Sequence, residues 1–309
     1  MVSEQTAIIG LGLIGSSLGL ALRRRSPGTT VVGYDIDTAI TRQAERTGAI
    51  THAVGSIQEA CRGSDTVILA PPVNAILALL RQLAPHLEPD TVVTDTGGTK
   101  AEIVTMAEAA FGESSSVAFV GGHPLAGRLR SGVSQPDTEL FEGSIYCLTP
   151  TPLTPAWGVE RAADLIETIG AQPYFVSATE HDALLAAVSH LPYFSAVALV
   201  RALTAQSGWS EMGSLAAGGF RTASSLVDGS PAVWADVAAT NSGPLRTQLD
   251  QLIATLTELR ELISSGDGRL TDVLNEAHTA RRAWMESRGE TQPSDPSPEA
   301  PRRFPFFRR

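Results

Sequence analysis

A glycine-rich turn near the N-terminus constrains the fold more than any other feature of the sequence. Gly10, Gly12 and Gly15 have the spacing G-x-G-x-x-G. The β-branched run at residues 6–9 predicts a strand before the turn, and residues 14–25 predict a helix after it. In this context the first glycine permits a tight turn, the second lets the backbone approach a pyrophosphate, and the third lets helix and strand pack closely. The turn therefore predicts a dinucleotide-binding βαβ unit.

The residues around the turn favour one dinucleotide over another. The start of the predicted helix at Ile14, with Leu13 just before it, offers free N–H groups and a positive dipole to the phosphates. Asp35, at the end of the next predicted strand, can accept both hydroxyls of the adenosine ribose, and its charge repels a 2′-phosphate. We therefore expect NAD rather than NADP. Pro71 and Pro72 follow a third strand and are expected in the adenosine-side wall of the site.

Strand and helix signals divide the chain into two parts. Strands are predicted at residues 6–9, 30–34, 66–69, 91–94, 117–120, 144–148 and 173–176, with helices between most of them. This alternation predicts a parallel sheet with right-handed crossovers. After it come long helical segments, with a kink expected at Pro192 and further helices at residues 230–241, 244–264 and 270–286.

The predicted fold class is therefore α/β, a Rossmann-type parallel-sheet domain followed by an all-helical domain. We place the dinucleotide-binding domain at residues 1–176 and a helical substrate and dimerisation domain at residues 177–288. Residues 289–309 begin with a segment rich in proline and serine and are predicted to be a disordered tail.

Composition and charge disfavour several classes of protein. A net charge of -10 argues against a nucleic-acid-binding protein, which normally carries a basic surface. The apolar run at residues 7–22 is followed rather than preceded by basic residues, unlike a signal peptide, and the run at residues 183–200 includes a histidine, a proline and serines. No histidine pair has the spacing of metal ligands. We expect a cytoplasmic protein with no membrane, nucleic-acid or metal partner.

Three further segments carry candidate chemistry. Residues 95–100 read Asp-Thr-Gly-Gly-Thr-Lys and close a predicted strand, and Asp95 is expected to contact the cofactor there. Residues 121–127 read Gly-Gly-His-Pro-Leu-Ala-Gly and place His123 just after a strand, whereas residues 189–192 read Ser-His-Leu-Pro. In this order, together with the dinucleotide turn, these segments resemble the prephenate dehydrogenase family, which includes arogenate and cyclohexadienyl dehydrogenases. The resemblance covers residues 6–286.

The resemblance implies an oxidative decarboxylation of a small cyclohexadienyl carboxylate. Hydride leaves C4 of the ring for NAD, the ring carboxylate leaves as carbon dioxide, and prephenate becomes 4-hydroxyphenylpyruvate, a tyrosine precursor. His123 matches the catalytic histidine of the family, and a neutral imidazole suits removal of the C4 hydroxyl proton near pH 7. The resemblance also implies a homodimer through the helical domain, where the leucine-rich face of residues 244–264 suits burial.

Four positions near the expected substrate depart from the usual family pattern. Gly98 occupies the place of a serine, although the hydroxyl of Thr99 follows it. Leu129 lies in a segment where many members carry a polar pair, and Tyr193 replaces a histidine. Ser225 replaces the arginine that binds a substrate carboxylate in the family.

These departures define the candidate substrate contacts, which are Thr99, Arg128, His190, Tyr193 and Arg221. Because a buried carboxylate needs a cationic partner, Arg221 is the natural substitute for the lost arginine: it lies one helical turn before Ser225. Arg128 and Arg130 are second choices. Arg221 could instead form a structural salt bridge to the sheet domain, and His190 could be a core histidine. His181 is interpreted as a helix-capping or hinge residue.

Several functions remain open from the sequence. The first is an NAD-dependent prephenate dehydrogenase. The alternatives are an arogenate or 4-amino-4-deoxyprephenate dehydrogenase, or a relative that senses NAD without catalysis. A β-hydroxyacid dehydrogenase is disfavoured by the Gly-Gly-His-Pro segment at residues 121–124.

Overall fold

The computed structural model describes residues 4–112, 116–126, 135–266 and 268–288. One eight-stranded sheet organises the first half of the chain. In chain order its strands are β1 (Gln5–Ile9), β2 (Thr30–Tyr34), β3 (His52–Ala53), β4 (Thr66–Leu69), β5 (Val92–Asp95), β6 (Ala118–Pro124), β7 (Ile145–Thr149) and β8 (Gln172–Phe175).

The spatial order of the strands is β3-β2-β1-β4-β5-β6-β7-β8. The first six strands follow the 3-2-1-4-5-6 order of doubly wound dinucleotide-binding folds. All neighbouring pairs are parallel except β6 and β7, which are antiparallel. The predicted fold class is confirmed, but the sequence did not anticipate this change of direction next to His123.

Helices cover both faces of the sheet. They are α1 (Leu13–Arg25), α2 (Thr38–Arg46), α3 (Ile57–Cys61), α4 (Val73–Leu83), α5 (Ala101–Phe111) and α6 (Ala156–Thr168), with a short 3-10 helix at Ala84–His86. The side chain of Ile8 packs into a core that contains Leu18 and Leu22, whereas those of Ala7 and Ile9 pack into a second core on the other face. Burial of successive residues on both faces explains why the strands are continuous apolar runs.

Helices make up the rest of the described chain. They are α7 (Ala178–Leu185), α8 (Leu191–Thr204), α9 (Trp209–Leu215), α10 (Gly218–Ser224), α11 (Pro231–Thr240), α12 (Ser242–Ser265) and α13 (Arg269–Ser287). A π-helical turn, Ala186–His190, joins α7 to α8, and a 3-10 turn, Ser225–Asp228, follows α10. Pro192 lies in the first turn of α8, so the disturbance expected from the proline takes the form of the preceding π turn.

By compactness the chain forms two units, residues 1–249 and residues 250–309. The first unit contains the whole sheet and the helices up to the start of α12, and the second contains the rest of α12 and α13. The change from strands to helices falls between Phe175 and Ala178. The predicted tail at residues 289–309 lies outside the described residues.

One helical run is apolar and long enough to cross a membrane when judged by length and composition alone. It is Ala178–Thr204, which comprises α7, the π turn and α8. Helices in the cores of other proteins pass the same test. Here His190, Tyr193 and Ala196 of this run are buried inside the protein.

Candidate active site

The glycine turn between β1 and α1 has the backbone geometry that its spacing predicts. Gly10 has a φ of 95°, and a Cβ there would lie 2.7 Å from the carbonyl carbon of Ala70. A Cβ on Gly15 would overlap the carbonyl oxygen of Gly10. At Gly12, in contrast, no atom lies within 4 Å of the added Cβ position. The chain's own packing thus requires Gly10 and Gly15, whereas Gly12 leaves its space open for a ligand.

The N-terminus of α1 is suited to hold a pyrophosphate. Gly12 is the N-cap residue, makes no side-chain cap, and no acidic residue lies in the first turn, where Leu13 is partly exposed. Ile14 packs partly against the core. Exposed N–H groups at a helix start attract phosphate oxygens. The residues of this turn therefore fit the diphosphate of a dinucleotide.

Asp35 links the end of β2 to the glycine turn. Its Oδ2 accepts the N–H of Leu11 at 2.8 Å, and its Oδ1 accepts the N–H of Asp37 at 2.9 Å. These bonds fix the carboxylate beside the turn and leave it the further lone pairs that ribose hydroxyls need.

Five of the predicted cofactor residues line one cavity of about 520 Å³, namely Gly10, Gly12, Asp35, Pro71 and Pro72. The other lining residues are mostly aliphatic, among them Ile36, Ile40, Ile57 and Leu79. Apolar walls with a few fixed polar groups are typical of small-molecule and cofactor sites. The cavity has the chemistry of an adenosine pocket.

Asp95 has a role that the sequence did not predict. Its side chain is fully buried, its Oδ2 accepts the N–H of Gly97 at 2.8 Å, and its Oδ1 accepts the N–H of Gly122 at 3.0 Å. It also forms an ion pair with Lys100, which is fully buried as well. Both carboxylate oxygens thus have partners within the protein, and the expectation that Asp95 contacts the cofactor is not supported.

The pair Lys100–Asp95 replaces missing strand hydrogen bonds next to His123. β6 pairs with β5 only as far as Val120, and from Gly121 it pairs with β7 instead. Beyond that point Asp95 accepts the N–H of Gly122, and Nζ of Lys100 donates to the carbonyl oxygen of Gly122 at 2.7 Å. Both backbone groups of the residue before His123 are therefore held by one buried ion pair.

His123 lies near the end of β6 and contacts a second histidine. Its Nδ1 is 2.9 Å from Nε2 of His181, whose Nδ1 is 2.8 Å from Oδ1 of Asp182. Asp182 also accepts the N–H groups of Lys100 at 2.7 Å and of Ala101 at 2.8 Å, and so caps the start of α5. The sequence predicts a capping or hinge role for His181, and it predicts no role in the active site for Asp182 or Lys100.

The surroundings keep His123 neutral. Burial is the main cause that lowers the pKa of His123 well below its usual value, and the charges of His181, Lys100 and His190 lower it further. Burial also lowers the pKa of His190 to about 4, although the charge of Asp182 opposes this shift. At neutral pH, therefore, His123 has a free lone pair, which is the form that a general base requires.

His190 and Tyr193 lie together behind the loop that contains Gly98. The backbone of Gly98 lies close enough to His190 to act on its pKa, and Nδ1 of His190 lies 3.2 Å from Nδ2 of Asn241. Tyr193 stacks on Trp234 with ring centroids 3.9 Å apart, and His190 meets the same indole edge-on at 6.1 Å. Both predicted contacts are thus in one aromatic cluster, and they are only 1% and 5% exposed.

The other predicted substrate residues are dispersed. The hydroxyl of Thr99 is buried and lies 2.8 Å from the hydroxyl of Thr240, so its predicted substrate contact is not supported. Arg221 is exposed on α10, and the described residues include no salt-bridge partner for it, so the alternative of a bridge to the sheet domain is not formed among them. Arg128, Leu129 and Arg130 lie outside the described residues.

Comparison with protein families identifies the chain. Residues 18–175 match the model for the prephenate dehydrogenase nucleotide-binding domain, and residues 177–276 match that for the prephenate dehydrogenase dimerization domain. This chain belongs to the prephenate dehydrogenase family. The predicted family is confirmed, as is the prediction of an NAD-dependent dehydrogenase with a Rossmann-type fold.

Individual relatives agree with the family assignment. Cyclohexadienyl dehydrogenase of Zymomonas mobilis is 34% identical over 91% of this chain and 96% of its own length. Prephenate dehydrogenase of Bacillus subtilis is 33% identical over 86% of this chain and 72% of its own length. The crystal structure of Aquifex aeolicus prephenate dehydrogenase with hydroxyphenyl propionate and NAD+ superposes with a TM-score of 0.84, at 29% identity over 92% of this chain and 99% of that one.

The buried ion pair leads to a stability prediction. In Lys100→Met the carboxylate of Asp95 stays buried without its cation, so we expect the free energy of unfolding to fall by about 3–5 kcal/mol. The control is Arg24→Met, which removes an exposed pair with Glu139 and is expected to cost about 0–1 kcal/mol. Urea unfolding followed by circular dichroism measures both. Equal losses in the two variants would contradict the structural role of Lys100.

Proposed function

We propose that this chain catalyses the NAD-dependent oxidative decarboxylation of prephenate to 4-hydroxyphenylpyruvate. The observation that carries the proposal is the placement of His123, a neutral imidazole held at the end of β6 by a buried polar network. Family membership and relatives named prephenate and cyclohexadienyl dehydrogenase support the reaction class.

The residues at the glycine turn are proposed to hold NAD. The backbone at Gly12 and the first turn of α1, with Leu13 and Ile14, would contact the pyrophosphate. Asp35 would accept the ribose hydroxyls, while Pro71 and Pro72 would form part of the wall around the adenosine. NAD supplies the acceptor for the hydride that leaves C4 of the ring.

His123 is the proposed general base. As hydride departs, C4 becomes a carbonyl carbon, and its hydroxyl proton must move to a base. Nε2 of His123 has no hydrogen-bond partner among the described residues, so its lone pair is available for that proton. When the ring carboxylate leaves as carbon dioxide, the bonding electron pair enters the ring, and the resulting phenolate oxygen takes the proton back. No net proton is consumed in the cycle.

Arg221 is the proposed partner of a substrate carboxylate. Ser225, which replaces the arginine of the family, uses its hydroxyl to donate to the carbonyl of Thr222 and brings no charge. Arg221 lies one turn earlier in continuous helical backbone and is an exposed cation. Arg128 is retained as a second candidate.

Loss of the base gives the first test. His123→Ala is expected to lower kcat by about 10²–10⁴, because general base catalysis has that worth. NAD affinity should be unchanged, since His123 does not line the adenosine cavity. NADH formation at 340 nm and calorimetric titration with NAD measure the two effects. His52→Gln, at an exposed position on β3, is the control. A near-wild-type kcat in His123→Ala would refute the assignment of the base.

The carboxylate contact gives the second test. Arg221→Ala is expected to raise the KM for prephenate about tenfold or more, because a substrate carboxylate loses its cation. Arg201→Ala removes another exposed helical arginine, on α8, and serves as the control. An unchanged KM in Arg221→Ala would move the role to another cation such as Arg128.

A related substrate is the second candidate function. Gly98, Tyr193 and Ser225 alter the region where the resemblance places the substrate, and a solved relative with a TM-score of 0.76 and 28% identity is an arogenate dehydrogenase from Synechocystis. L-Arogenate and 4-amino-4-deoxyprephenate carry an amine that changes the charge pattern. Side-by-side kinetics with the three acids identify the substrate. Binding of NAD without turnover of any of them would instead support a sensing role.

We also propose that the chain forms a homodimer through residues 177–288. Support comes from the dimerization-domain match and from large apolar side chains that are exposed in the single chain, among them Ile253, Leu256, Ile263, Leu274 and Trp284. Leu256→Glu is expected to shift the molecular mass in solution toward that of one chain, as measured by light scattering. Leu153→Glu, at an exposed position in the first unit, is the control for a surface charge. Monomeric wild-type protein would refute the proposal.

A further inference from the structure

We infer that His181 is a positioning residue for His123 and that, together with Asp182, it shares the proton which His123 takes from the substrate. The inference rests on the proposed function, because it concerns the same base. It follows from an unbroken line of contacts from Nδ1 of His123 to Nε2 of His181, and from Nδ1 of His181 to Asp182.

The hydrogen bonds fix the position of each proton. Oδ1 of Asp182 already accepts the N–H of Lys100, and its Oδ2 accepts that of Ala101, so this carboxylate is an acceptor. Nδ1 of His181 must therefore carry the proton that it donates to Asp182. The Nε2 of a neutral His181 then has only a lone pair, and it accepts the Nδ1–H of His123. By elimination, Nε2 of His123 is the unprotonated nitrogen.

This arrangement gives His123 the tautomer that its role needs. Without a fixed acceptor at Nδ1, a neutral imidazole could place its proton on Nε2 and could not act as a base there. His181 is itself held rigidly, since its side chain is fully buried. It also lies in the first turn of α7, whose N-terminus is capped by Ser177. The orientation of His123 is thus fixed by His181, a residue of the helix that follows the sheet.

The same chain of hydrogen bonds from His123 through His181 to Asp182 can also move a proton. When Nε2 of His123 receives the C4 hydroxyl proton, its Nδ1 proton can pass to Nε2 of His181. His123 then stays neutral, with its proton now on Nε2, and His181 becomes an imidazolium that donates to the carboxylate of Asp182. Two N–H bonds form and two bonds to hydrogen break, so the transfer is balanced. The return of the proton to the phenolate oxygen reverses each step.

The other charged groups around His123 explain why sharing matters. Two of them are Lys100, at the N-terminus of α5, and His190, in the π turn, and their charges act on His123. Burial and these groups lower the pKa of His123, so an isolated His123 would be a weak base. Asp182 is the carboxylate in direct contact with the histidine pair, and it contacts His181 rather than His123. A positive charge is therefore best placed on His181.

His181→Gln separates proton sharing from orientation. The Oε1 atom of glutamine can occupy the place of Nε2 and accept from Nδ1 of His123, but it cannot hold the proton. In the wild-type protein either His123 or His181 can hold the added proton, whereas in the variant only His123 can. The macroscopic pKa of the variant is therefore lower. We expect kcat with prephenate to fall about 10–100-fold, less than for loss of the whole base. The acidic limb of the kcat/KM profile should shift to lower pH, whereas the KM for NAD should stay unchanged.

His181→Leu and His52→Gln complete the series. His181→Leu removes the acceptor as well as the proton site, so kcat should fall below that of His181→Gln. His52→Gln, at an exposed position, should have the wild-type profile. Wild-type kcat and an unshifted acidic limb in His181→Gln would overturn proton sharing. A purely structural role would lower kcat in both His181 variants without moving the limb, and that result would overturn the inference too.

A measurement without turnover separates this inference from the proposed function. Imidazole ¹⁵N NMR of the whole protein, assigned with the His123 and His181 variants, reports which nitrogen carries the proton. We expect the Nδ1–H tautomer for both histidines at neutral pH. An Nε2–H tautomer at His123 would overturn the inference whatever the substrate is. If no cyclohexadienyl acid is turned over but both Nδ1–H tautomers are found, the proposed function fails and the arrangement of the pair stands.

Discussion

The hydrogen bonds accepted by the buried carboxylate of Asp182 are the interactions on which the site depends. One side chain caps the start of α5 through Lys100 and Ala101 and fixes the ring of His181, which contacts His123. The backbone carbonyl oxygen of Asp182 accepts a hydrogen bond from the side-chain amide of Asn241, which also lies beside His190. A carboxylate so deeply placed is tolerated because each oxygen has hydrogen-bond donors. The helices after the sheet are thereby joined to the loop that follows β5, and His123 lies at this junction.

The change of strand direction beside His123 explains why the junction is polar. A parallel neighbour would continue to bind the backbone of β6, but β5 ends at Asp95 and β6 turns to β7 for its partners. The N–H and carbonyl of Gly122 would then be buried without partners, which costs free energy for each group. Asp95 and Lys100 satisfy both groups. Residues 95–100 therefore support the segment of His123, whereas the glycine turn and Asp35 form the proposed cofactor site.

Local patterns predicted the geometry of the glycine turn and the position of Asp35 beside it. The glycine spacing and Asp35 depend on contacts within one βαβ unit, so sequence periodicity and spacing were sufficient. The seven strands of five or so residues were also predicted, whereas β3, with two exposed residues, gave no signal. Helices α3, α9 and α10, of five to seven residues, are too short to give a periodic pattern, and the eleven-residue α5 was missed as well. The longer-range contacts of Asp95, Thr99 and His181 join residues from 27 to 141 positions apart, which no local pattern encodes.

The same distinction accounts for the replacement of the family arginine by Ser225. A residue that touches only a ligand can change alone, whereas a residue inside the buried network can change only with its partners. Asp95, Lys100, His181 and Asp182 satisfy one another, so a single replacement would leave a polar group unpaired. Arg221 lies on an exposed helix and Ser225 in a half-buried turn, and neither has such ties to the network. Selection for a different acid could therefore remodel that surface while His123 and its supporting residues stayed in place.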